Sequence, residues 1–143
     1  MLKFCSLYSG SSGNCLYVSS GKTKILVDCG TSCKKICEGL ASIDSSIEDI
    51  DAILTTGGTG LDPRDITVET VESLFEKRLE GFGEIFRAKS YEEIGAAALL
   101  SRATAGIYKK TVIFSMPGSP NAVKTAFSII IDELPHFVHH VKK

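Results

Sequence analysis

The chain has 143 residues, 43% of them hydrophobic, which suits one domain with a core of its own. Its 16 basic and 17 acidic side chains leave a formal net charge of −1, so no bulk field draws it to nucleic acid or an anionic membrane. No apolar run is long enough to span a bilayer, and Leu2 to Leu7 is too short and wrongly flanked for a signal peptide; a soluble, cytoplasmic protein is expected.

Leu2-Lys3-Phe4-Cys5-Ser6-Leu7 alternates apolar and polar residues, as a half-buried strand does. A turn cluster, Ser9 to Asn14, leads to a second strand, Cys15 to Val18, and Ser20-Gly21-Lys22 leads to a third, Lys24 to Asp28. Short strands joined by glycine turns predict an antiparallel meander. Ser32 can cap a helix running to about Leu40, with Ile36 and Leu40 on one face. The chain then returns to an apolar strand, Ile50 to Thr56, which the crossover makes parallel to the third. All five cysteines (Cys5, Cys15, Cys29, Cys33, Cys37) lie in this first part. An odd number without a secretion signal reads as reduced thiols, and no Cys-x-x-Cys knuckle or nearby histidine completes a tetrahedral metal set.

Thr55-Thr56-Gly57-Gly58-Thr59-Gly60 follows that strand, and Leu61-Asp62-Pro63-Arg64-Asp65 leads into a predicted helix, Ile66 to Leu79. Strand, glycine-rich loop and helix in that order present backbone N–H groups and a positive dipole end to an anion. The same pattern also serves as a plain tight turn; the spacing that ends in Pro-Arg-Asp favours a ligand site. Asp65 or Thr67 can cap the helix, with Val68, Val71, Leu74 and Phe75 inward. Leu79 to Gly83 reads as a break. Ser90 with Glu93 has capping-box spacing, and the Ala- and Leu-rich helix it opens is expected to end at Gly106. Thr111 to Met116 reads as a buried strand running into Pro117-Gly118-Ser119-Pro120, where Ser119 and Pro120 have the form of an N-cap and first-position proline. The next helix carries Val123, Ala126, Phe127, Ile130, Ile131 and Leu134 at core-facing spacing, and Pro135 marks a break or a new first turn. Two strand-loop-helix corners aimed at one rim of an α/β sheet suit a phosphorylated ligand, with Asp65 placed to hold a cation. The three histidines, His136, His139 and His140, have chelating spacings but read as a solvent-facing terminal helix.

Two resemblances organise these elements. Leu2-Lys3-Phe4-Cys5-Ser6-Leu7, Ser9 to Asn14, Ile25 to Gly30 and Ile50 to Thr55 resemble the start of the metallo-β-lactamase superfamily. Gly57-Gly58-Thr59-Gly60 stands where that family places its His-x-His-x-Asp-His motif, so zinc and metallohydrolase activity are not expected. Residues 51 to 143 resemble the molybdopterin-binding family of molybdenum cofactor biosynthesis, through Thr55 to Gly60, Pro63-Arg64-Asp65, Gly81-Phe82-Gly83-Glu84, Leu100-Ser101-Arg102-Ala103 and Pro117 to Val123. That resemblance implies an α/β domain that binds a pterin dithiolene phosphate and, in adenylyltransferase members, uses ATP and Mg²⁺ to attach AMP to it. It implies that Gly57, Gly58, Thr59 and Gly60 line the pterin and nucleotide cleft, together with Pro117, Gly118, Ser119 and Pro120, and that Ser119 receives a phosphate. Asp65 is implied as the catalytic acid at the Mg²⁺ site. Arg64 and Arg102 match as well, either as ligand contacts or as structural ion pairs. Self-association, trimer-like in the family, is a further implication. Family members open with another unit that carries a second catalytic acid, and the metallo-β-lactamase-like segment stands in its place. The expected architecture is therefore a layered α/β sheet with helices on both faces, an N-terminal meander joined to a parallel molybdopterin-binding-like half, recombined or engineered at the shared strand, with catalysis impaired.

Overall fold

Lys3–Tyr8 (β1), Cys15–Ser19 (β2) and Lys24–Val27 (β3) form the antiparallel meander that their alternation predicts. The computed structural model describes residues 1–143, and its contacts divide them into two units, Met1–Thr55 and Thr56–Lys143. In the first unit β4 (Ala52–Thr56, its last residue opening the second unit) pairs parallel to β3, giving the order β1-β2-β3-β4. Between them runs α1 (Cys33–Ala41), capped by Ser32, whose hydroxyl accepts from the Lys35 N–H at 3.3 Å. Ile36 and Leu40 are buried with Cys15, Tyr17, Leu26 and Ile50 in one apolar cluster. The Asp51 carboxylate, 1% exposed, accepts from the Lys24 N–H at 2.7 Å and so pins the start of β3 beside β4. The five cysteines are free thiols, and Cys33 and Cys37 stack one turn apart on α1 with their sulfurs 4.0 Å apart.

The second unit corrects several expectations. Its strands are antiparallel: β5 (Lys77–Arg78), β6 (Thr104–Tyr108) and β7 (Thr111–Met116) lie in the order β7-β6-β5. Strands β6 and β7 form a hairpin closed by Lys109 and Lys110, with Lys109 in the left-handed region at φ 53°. Strand β6 occupies the end of the segment expected to be helical to Gly106. Gly106 belongs in that strand because the Phe75 ring lies over it; a β-carbon there would fall 2.3 Å from the ring. The predicted helix from Ile66 shrinks to α2 (Thr67–Glu72), whose cap position is Ile66 and has no side-chain bond, so neither Asp65 nor Thr67 caps it. Val68 and Val71 are buried as expected, whereas Leu74 is exposed.

Leu79 to Gly83 does not break the chain. It opens α3 (Glu80–Ile94), and Ser90, buried inside that helix, caps nothing. Gly83 is tolerated because its missing side chain lets α3 approach β6; a β-carbon would sit 2.7 Å from the Ala103 carbonyl oxygen. Helix α3 ends at Gly95, φ 67°, and a short 3₁₀ stretch, Gly95–Leu100, follows. Then come α4 (Pro120–Ile130) and α5 (Leu134–Val141), the latter with its proline in the first turn, as predicted. The inward stripe of α4 holds Ala126 and Ile130, and Thr125 takes a buried place on it, bonded to the Glu93 carboxylate at 2.9 Å, while Ile131 is exposed. Phe82, Phe86, Phe114 and Phe137 interlock beneath the sheet, Phe82 meeting Phe114 edge-on at 5.2 Å. No helix is long and apolar enough to cross a membrane.

Candidate functional site

The corner after β4 is shaped by backbone that only glycine adopts readily. Gly57 and Gly58 have φ of 91° and 69°. The Gly57 N–H donates to the Met116 carbonyl at 2.9 Å, tying this corner to the end of β7. The Gly58 carbonyl accepts from the Thr67 N–H at 3.1 Å, which ties it to the first turn of α2. The second corner meets the first backbone to backbone: a β-carbon on Gly118 would lie 3.3 Å from the Gly57 Cα.

Gly57, Gly58, Thr59 and Gly60 line one cleft with Pro117, Gly118 and Ser119, a hollow of about 290 Å³. Pro120 is not among its lining residues and heads α4, whose first turn faces the same corner. The Ser119 hydroxyl accepts from the Ala122 N–H at 3.3 Å, so it caps α4 as its sequence predicts. The remaining first-turn N–H groups of an eleven-residue helix give this end a partial positive charge. Thr59 borders the cleft but is 3% exposed, so it is largely packed into the loop.

Asp65 stands apart from that lining. Its carboxylate rests against Gly60, Oδ2 lying 2.6 Å from where a β-carbon would be, so the glycine makes room for the acid. The acids around it are engaged: Asp62 is held in a fork by Arg64 at 2.9 and 3.0 Å, and Glu69 pairs with Arg102. Each arginine holds its partner carboxyl below the usual range through the side-chain hydrogen bond.

Arg102 resolves one of the two open arginine roles. Its Nε donates to the carbonyls of Thr59 (3.2 Å) and Gly60 (3.0 Å), and its Nη2 to those of Gly60 (2.7 Å) and Asp65 (3.1 Å). The guanidinium thus clasps the glycine loop from behind, a task that suits its planar fork. Arg64 points outward, its side chain 90% exposed, and serves its own turn through Asp62. Because the Glu69 carboxyl lies below its unfolded value, the pair contributes fully above the ordinary glutamate range and loses that contribution as pH falls through the lowered folded value. We expect an acid-side loss of stability at that step that is absent from Glu69→Gln, measured as midpoints of denaturant unfolding across pH.

The α3 part of the back wall, Phe86, Ser90 and Ile94, was missed in the sequence; beyond it stand Ala97 and, from the motif already noted, Leu100 and Ser101. The signal was the spacing Phe82, Phe86, Ser90, one residue per turn, which a helix starting at Ser90 conceals. A second hollow of about 590 Å³ adjoins the first, since Ser101 borders both; Arg78, Arg87, Arg102, Glu72, Glu80 and Glu84 supply its charge.

The family profile described as a probable molybdopterin binding domain matches residues 23–136. The match begins upstream of residue 51, where the resemblance in the sequence was expected to start. The chain is 46% identical over 110 residues to the probable molybdopterin adenylyltransferase of Methanocaldococcus jannaschii, covering 77% of this chain and 68% of that protein. It is 54% identical over 97 residues to the molybdopterin adenylyltransferase of Pyrococcus furiosus, covering 65% and 57%. Among solved structures, the tungsten cofactor synthesizing protein MoaB from Pyrococcus furiosus superposes with a TM-score of 0.64 at 50% identity, over 74% of this chain and 69% of that one. The chain therefore spans between 57% and 68% of the length of these two relatives.

Proposed function

The chain belongs to the probable molybdopterin binding domain family, and from that premise we propose that it binds the phosphorylated pterin of molybdenum cofactor biosynthesis together with a nucleotide. The observation that carries this reading is the meeting of Gly57 to Gly60 with Pro117 to Ser119 around one cleft at the start of α4. Backbone N–H groups and a helix dipole at such a corner suit a phosphate and make no demand on side-chain charge. The adjoining hollow beyond Ser101 offers room for a second ligand, which a group transfer between two phosphorylated molecules requires.

Mg²⁺ prefers hard oxygen donors and is held by one or two carboxylates plus the phosphates of its ligand. Asp65 fits that part, its carboxylate being seated beside Gly60. Such an ion would neutralise charge on the ATP phosphates as AMP is attached and pyrophosphate leaves. Gly57, Gly58 and the α4 end would position the phosphate, and Arg102 would keep the carbonyls of Thr59, Gly60 and Asp65 turned away from it. Turnover is proposed to be impaired, because Asp62 and Glu69, the acids beside Asp65, are committed to arginines.

A second reading, a recombined chain that keeps the fold without activity, is favoured by one observation: the molecule divides at Thr55, inside the strand where the two resemblances meet. Calorimetric titration with molybdopterin, and with ATP plus Mg²⁺, separates the readings. Binding that Asp65→Ala weakens for Mg-ATP, and that Ser119→Gly weakens for both ligands, is the expected result; glycine keeps most of the cap while deleting the hydroxyl. Pyrophosphate release at or near background is expected alongside it. Absence of heat at millimolar ligand leaves only the second reading.

A further inference from the structure

The last helix carries a group that the cleft does not use. On α5, His136 and His140 lie one turn apart with their Nε2 atoms 2.8 Å from each other. Their ring centroids are only 4.6 Å apart, closer than a head-on approach of two ring nitrogens allows, so the rings meet bent, edge to face. The two Nε2 atoms are thus neighbours on one exposed flank of the helix. The other nitrogen of His136, Nδ1, lies 3.3 Å from the Glu133 carboxylate one turn earlier. A carboxylate on the second ring nitrogen orients the ring and favours the tautomer that leaves Nε2 free to ligate, as is common for metal-binding histidines. His139 differs: it lies on the flank, with its ring 5.8 Å from that of His140, and shares no hydrogen bond with the pair.

We propose that His136 and His140, oriented by Glu133, form a bidentate surface site for a late first-row divalent cation such as Ni²⁺, Cu²⁺ or Zn²⁺. Two imidazole nitrogens bound at about 2.1 Å to one ion, at right angles, stand about 2.9–3.0 Å apart, which the observed separation reaches with a slight rotation of either ring. The ion takes the place of the proton that the two nitrogens otherwise share. No three ligating side chains converge anywhere in the molecule, so water completes the coordination. The site is open to solvent, His136 being 62% exposed, and it joins Glu133 at the start of α5 to the last turn at His140. Occupation would staple this helix along its length.

The test is calorimetric titration of the intact chain with Ni²⁺ alone, because nickel favours imidazole over the carboxylates elsewhere on the surface. NMR line broadening of the imidazole C–H signals identifies the ligands. The expected result is one ion per chain, with the His136 and His140 signals broadened first. His136→Ala and His140→Ala should each weaken binding at least about tenfold, Glu133→Gln roughly tenfold through the outer contact, and His139→Ala by less than about twofold. All four positions are exposed, so the variants fold, and circular dichroism confirms it. No heat at millimolar Ni²⁺, binding insensitive to both His136 and His140, or an equal loss in His139→Ala would each overturn the proposal.

Discussion

Replacing Gly58 by alanine is expected to unfasten the glycine corner and cost more stability than any other single-methyl change in the loop. At φ 69° an L-residue meets its own carbonyl, at about 1–2 kcal/mol. The new methyl would also begin 2.0 Å from the Thr67 hydroxyl oxygen and 3.0 Å from its β-carbon, a clash worth about 1–3 kcal/mol. Thr67 cannot simply withdraw, because its N–H is bonded to the Gly58 carbonyl. Gly57→Ala supplies the contrast: its φ of 91° is strained but nothing lies within 4 Å of the added methyl. Denaturant unfolding should therefore rank Gly58→Ala well below Gly57→Ala. In a double-mutant cycle Thr67→Ala should recover the hydroxyl part of the cost, a coupling that additive effects would not show. Ligand titration should fail first in Gly58→Ala, since the loop must shift to admit the methyl. Equal stabilities for the two glycine variants would mean that the corner is not packed on α2 as described.

Much of this site was legible because glycine, proline and serine act locally. The turn at Gly57 and Gly58, the Ser119 cap with Pro120 behind it, and the Ser32 cap each follow from backbone chemistry within four residues. The meander and the parallel β3–β4 pair were legible from alternation and from the crossover. What escaped depends on partners distant in sequence. Gly81 and Gly83 read as a break, yet α3 runs through both, and at Gly83 close approach to Ala103 rewards the missing side chain. Ala- and Leu-rich composition predicted helix across residues 104–106, but pairing with β7 through the Lys109 turn converts that stretch to strand. Once the helix was placed too late, Phe86 and Ser90 could not be assigned to the wall of the cleft. Asp65 lies against Gly60, a contact between residues five apart that the motif spacing alone does not specify.

Arg102→Ala is expected to leave the cleft's lining residues in place by sequence yet abolish their arrangement. One guanidinium satisfies the carbonyls of Thr59, Gly60 and Asp65 while pairing with Glu69, so its loss strands several acceptors at once. Those carbonyls would be free to turn towards the cleft, setting negative dipoles against a phosphate where N–H groups are needed. We expect affinity for the phosphorylated ligands to fall by at least about tenfold, through lost preorganisation and without the removal of any ligand contact. Arg102→Lys separates charge from geometry: the ammonium can still pair with Glu69 but cannot span carbonyls in a fork. If the clasp acts by positioning, lysine should rescue the acid-side stability contributed through Glu69 and fail to rescue binding. Should lysine restore both, the side chain acts only as a positive charge and the loop holds its shape unaided. Should neither variant change binding, the phosphate does not sit on the 57–60 corner, and the reading of the cleft fails with it.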